Sequence, residues 1–148
     1  MKMNSRRSFR RSQSGVMLLE ALIGILIFSL GILAMVGLQT MSIRLATDSR
    51  DRAEAANLAS QLIGDMWVNR ATVANYNYAG SGTAPAALTQ WVAQVNASLP
   101  NAATNPPIVT TGASPLGASA GSQTTVTLRW VTTTDPTVHQ YVITAYIN

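Results

Sequence analysis

The chain has no cysteine and one histidine, and charged residues make up only 11% of its 148 positions. Without cysteine there can be no disulfide and no thiolate metal site, so the fold must be held by packing and hydrogen bonds alone. A single histidine, His139, cannot build a histidine-rich metal centre. Its setting in a strand-like stretch reads as a structural or surface position. No serine sits in a G-x-S-x-G elbow, and phosphate loops and EF-hand spacing are missing. The six acids are scattered over helix and turn positions, which gives no reason to expect two of them to meet as a catalytic pair. These absences point away from an enzyme, and no cofactor and no metal ion are expected.

The few charges present are unevenly placed. The formal net charge is +4, yet Lys2, Arg6, Arg7, Arg10 and Arg11 supply half of the ten cations before the first apolar run begins. Beyond residue 15, five arginines face Glu20, Asp48, Asp51, Glu54, Asp65 and Asp135, a balance of −1. A nucleic-acid partner needs a basic face on the folded domain, and none is expected here.

Between Val16 and Leu38 lies a run of 23 residues whose only polar side chains are Glu20 and Ser29. As a helix it would reach about 35 Å, long enough to cross a bilayer core with some tilt. A cleavable secretory signal has a shorter apolar region followed by an A-x-A site, and neither is present. The cations on its N-terminal side should keep that end in the cytoplasm and send the rest outward. Glycine at position 15 marks the junction, and Glu20 lies five residues past it. An acid inside a membrane helix is functional by default: Glu20 either stays wetted near the interface or awaits a cationic partner. Ala21, Gly24, Gly31 and Ala34 fall broadly on one side of that helix, where small residues permit close helix approach.

The string SG-VMLLEALIGILIFSLGILAMVGLQ resembles the signal of type IV prepilins and pseudopilins, in which a basic leader ends in glycine and a glutamate follows five residues after the cut. LASQLIGDMW at Leu58–Trp67 extends the likeness toward the minor pilins of that family, over roughly the first half of the chain. Val16 stands where the family usually has Phe or Met, and Gly37 where many major pilins have a proline. The resemblance implies cleavage between Gly15 and Val16 by the prepilin peptidase, followed by N-methylation of Val16. It also implies a subunit-assembly role for Glu20, which would meet the N-terminal amine of a neighbouring subunit. The expected partners are the prepilin peptidase, other minor and major pilins through the N-terminal helix, and the inner membrane. The implied location is the bacterial inner membrane, single-pass, with a cytoplasmic N-terminus and a periplasmic head, and possible incorporation in the pilus. The function so implied is a minor pilin that helps start or cap a type IV pilus. A minor pseudopilin of a type II secretion system, a tip adhesin or receptor module, and a plain single-pass anchored protein remain as alternatives.

The remaining chain reads as an α+β head. Residues 1–15 form the leader, 16–38 the membrane or filament-core helix, 39–71 its amphipathic continuation, and 72–148 the globular head. Ala55, Leu58, Ala59, Leu62, Ile63 and Met66 recur at helical spacing, with Trp67 expected in the core. Asp48, Arg50, Asp51, Arg52 and Glu54 read as a solvated or subunit-contacting helix face. Residues 71–84 have loop composition. A short helix is expected to start near Pro85, carry Leu88, Trp91, Val92, Val95 and Leu99 on one face, and stop at Pro100. Residues 100–121 read as a long loop with room for one edge strand at Ile108 and Val109. Alternation at Val126, Leu128 and Trp130, a turn at Thr134–Thr137, and β-branched and aromatic residues from Val138 to Ile147 predict a closing hairpin. A pilin-like fold, a long helix packed on a small antiparallel sheet, agrees with that order.

Overall fold

The computed structural model describes residues 14–115, 117, 121–133 and 135–148. The leader through residue 13, and Thr134 of the expected turn, lie outside the described residues. The chain divides into two units, Met1–Ile43 and Arg44–Asn148, and helix α1, Ser14–Val68, contributes to both.

In the first unit, every side chain from Val16 to Ile43 is exposed. No proline interrupts α1, and Ser29 and Thr40 turn their hydroxyls back onto the carbonyls of Ile25 and Val36, at 2.7 and 3.1 Å. Such bonds hide a polar group against the helix itself and leave an apolar surface outside. This stretch is long and apolar enough to cross a membrane.

The second unit is an α+β domain. Its part of α1 buries Ala55, Leu58, Ala59, Leu62 and Met66, the stripe expected from three- and four-residue spacing. Trp67 is a correction. It is 42% exposed, because it stands one position past Met66 and so about 100° around the helix from that stripe. Past Val68 the chain forms a 3₁₀ helix, Arg70–Tyr76, that buries Val73 and Tyr76, where only loop was expected. Helix α2, Thr89–Ser98, begins four residues later than Pro85, because Pro85–Leu88 forms a separate turn closed by Leu88 N–H on Pro85 O at 2.8 Å. Its stripe is as expected: Leu88, Trp91, Val95 and Leu99 are buried and Val92 is packed against them. The Trp91 indole donates to Leu58 O of α1 at 2.9 Å and so fixes one helix against the other.

Three antiparallel strands, β1 (Ile108–Ala113), β2 (Ser122–Trp130) and β3 (His139–Ile147), form one sheet in the order β1-β2-β3. Val126 of β2 pairs with Val109 and Ile143, and Leu128 pairs with Tyr141. Period-two alternation sends Thr124, Val126, Leu128 and Trp130 inward, all buried. Outward, Thr125 meets Thr144, hydroxyl to hydroxyl, at 3.1 Å.

The segment from Pro100 to β1 has no disulfide, and four polar ties hold it instead. Asn101, in the left-handed region at φ 53°, donates its side-chain amide to Val131 O at 2.8 Å. Val131 N–H returns to Pro100 O at 3.1 Å. The Arg129 guanidinium donates to Pro106 O at 2.8 Å, and Tyr78 and Val109 exchange backbone bonds at 2.8 Å each. At the start of β2, Gly121 has φ +73°, and a Cβ there would run into the backbone carbonyl of Ile147. Only glycine fits without a backbone shift.

Candidate functional site

The residues singled out by sequence divide between the two units. Gly15, Val16 and Glu20 lie in the first turns of α1, and Val16 and Glu20 are exposed and stand one turn apart on the same helix face. Glu20 is the only charged side chain between Val16 and Ile43. Among the described residues it has no hydrogen-bond or ion-pair partner, and its side chain is exposed. Geometrically this is an exposed apolar rod with one acid near its start.

In the head, tertiary structure gathers a cluster that sequence reading did not foresee. His139 opens β3, and its ring stacks on Trp130, the last residue of β2, with centroids 5.9 Å apart and planes at 19°. Its Nδ1 lies 3.8 Å from Asp48 Oδ1 on α1. Its Nε2 lies 3.5 Å from Asp135 Oδ2 in the β2–β3 connection. The imidazole is thus flanked by carboxylates from two different elements and is only 15% exposed. The two acids were not expected to meet in space, yet both converge on one ring. Spacing along the chain could not reveal this, because α1 and the hairpin turn approach each other only through packing. The pairing of Trp130 and His139 across the hairpin was the one local signal available.

The charged face of α1 is a second correction. Arg50 and Arg52 are exposed as expected, but Asp51 is only 9% exposed. It lies four residues before Ala55 and falls on the buried stripe. Burial raises its pKa above the ordinary carboxylate value; the nearby Asp48 charge adds to that, against the opposing charges of Arg50 and His139. Asp51 Oδ2 and Asp48 Oδ1 are buried without a hydrogen-bond donor, while Asp48 Oδ2 accepts from the Arg52 guanidinium at 3.1 Å. Asp135 is shifted the other way. Its carboxylate accepts from the Thr137 backbone N–H at 2.9 Å and from the Thr137 hydroxyl at 2.7 Å, which holds its pKa down. The cluster borders a cleft of about 330 Å³ lined by Arg44, Leu45, Thr47, Asp48, Thr132, Asp135 and His139. Among the described residues no group of three or more potential ligands is placed so that it could hold a metal ion.

In comparisons with known proteins, no family model, no curated protein and no solved structure matches this chain.

Proposed function

We propose that the protein is a minor pilin of a type IV pilus, similar to the PilV type, processed by the prepilin peptidase and acting in pilus initiation or at the tip. The observation that carries this reading is the exposed apolar stretch of α1 from Val16 to Ile43, in which Glu20 is the single charge. A lone soluble domain gains nothing from such a surface, whereas a subunit that first rests in a lipid bilayer and then bundles with its neighbours needs it. On this reading the N-terminus starts in the cytoplasm, the inner membrane holds the helix, and the head lies in the periplasm. Cleavage after Gly15 frees the Val16 amine, which is then methylated. Glu20 pairs with the amine of an adjacent subunit, so that two charges costly to bury alone are buried together. Apolar packing supplies most of the bundle's stability, and the charge pair sets the axial register. The protein is a substrate of enzymes and a partner of other pilins.

Mass spectrometry of the protein extracted from membranes tests the class directly. A chain beginning at N-methylated Val16 is expected, and a functional protein that still begins at Met1 would overturn the reading. Within that class, Glu20→Ala should leave leader removal intact and lower the number of assembled pili severalfold. An unchanged pilus count in that variant would rule out the register role.

A further inference from the structure

Independently of the pilin reading, we infer that His139 is a proton-operated clasp that ties the β2–β3 connection to α1 at the base of the head. Asp48 of α1 faces one nitrogen and Asp135 of the connection faces the other, at 3.8 and 3.5 Å, and Trp130 of β2 covers one face of the ring. A neutral imidazole has one N–H. It can donate toward only one of these carboxylates, and its other nitrogen then presents a lone pair to an acid. A doubly protonated ring presents an N–H and a positive charge to both at ion-pair distance, and also offers that charge to the indole face. The protonated form therefore links helix to turn, and the neutral form releases one side.

Charges on the neighbouring elements act on the ring in both directions. From α1, Asp48 and Asp51 favour the cationic ring, while Arg44, Arg50 and Arg52 oppose it. Arg52 is directed onto Asp48 Oδ2 and away from Oδ1. From the connection, Asp135 favours it. The relation is mutual, since the His139 charge favours the ionised forms of both Asp51 and Asp135. The donor-less oxygen on Asp48 is the one that faces the ring. The turn also has a hinge-like build: Thr132 and Asp135 share a hydrogen bond from Asp135 N–H to the Thr132 hydroxyl at 3.1 Å. The Asp135–Thr137 bonds close its other half. None of these bonds involves Asp48, so they can persist when the ring lets go of it.

Hydrogen–deuterium exchange on the full-length chain in detergent micelles, corrected for the intrinsic pH dependence of exchange, tests this. Exchange is compared between about pH 5 and about pH 8, the range in which histidine as a residue type changes charge. Amides of Thr132, Thr133, Asp135, Thr137 and Val138 should lose about threefold of their protection as pH rises across that interval, the scale of a partly exposed ion pair. The dependence should vanish in His139→Gln and shrink in Asp48→Asn, which leaves the turn's own bonds in place. Because His139 is the only histidine, its ring resonance follows protonation directly and should change along with turn protection. Equal protection at both pH values in the wild-type chain would overturn the clasp. So would a pH dependence that persists in His139→Gln or is unaltered in Asp48→Asn.

Discussion

Residues 16–43 expose all of their large apolar side chains, whereas residues 44–148 bury a core of theirs. In the first stretch Leu18, Leu22, Ile25, Phe28 and Leu33 are all exposed, and in the second Leu58, Leu62, Leu88, Leu128 and Trp130 are almost wholly hidden. Both stretches draw on one helix. What separates them is the pattern of polar residues. The first is apolar around its whole circumference, which suits a surrounding that is itself apolar. The second has an apolar stripe opposed by charge, which suits water on one side and a domain on the other. One element thus carries two surface patterns, and the change falls near Arg44.

The sharpest way to break this comparison is to truncate one leucine in each stretch. Leu62→Ala should destabilise the head by about 2–5 kcal/mol, the usual range for emptying a packed leucine site. Leu26→Ala should leave the head's unfolding midpoint within about 0.5 kcal/mol of wild type. Thermal unfolding of full-length variants in micelles measures both, and a head equally sensitive to the two changes would erase the distinction. Smaller but still clear is Gly121→Ala, where a left-handed backbone and the Ile147 carbonyl both resist a side chain. A loss of about 1–3 kcal/mol is expected in the same assay. If alanine were tolerated there, the close seating of the C-terminal strand against the start of β2 would be wrong.

The smallest effect sharpens the comparison at the boundary. Asp51 is an acid placed on the buried stripe, and its pKa is raised chiefly by burial. A carboxyl group with a raised folded pKa holds its proton more tightly in the folded state. Folding is therefore favoured at low pH and weakened as pH climbs through the acid range. Asp51→Asn should stabilise the head slightly at neutral pH, and the gain should fade on acidification. A variant less stable than wild type at neutral pH would mean that the ionised carboxylate serves the fold, contrary to this account.

Much of the head was legible from local pattern. The stripe on α1, the face of α2 and the alternation in β2 each repeat with the period of their own element, so a short window contains the whole signal. The misreadings have equally local causes. Trp67 looked like core because its size suggests burial, but its angle on the helix decides. Asp51 looked solvated because its neighbours are charged, although its spacing from Ala55 already placed it on the stripe. The 3₁₀ helix after Val68 escaped notice because Asn and Ala there carry little periodic signal.

The sequence by itself determined the apolar run with its single acid, the helical stripe, and the hairpin, and with them the α+β order. It also determined that no disulfide could help. Only the tertiary structure decided how the segment after Pro100 is tied down, through Asn101, Val131, Arg129 and Pro106, and that Asp48 and Asp135 close on His139. The reason is physical. Periodicity records the direction in which a residue faces from its own element, whereas these contacts depend on which faces meet once distant parts of the chain have packed.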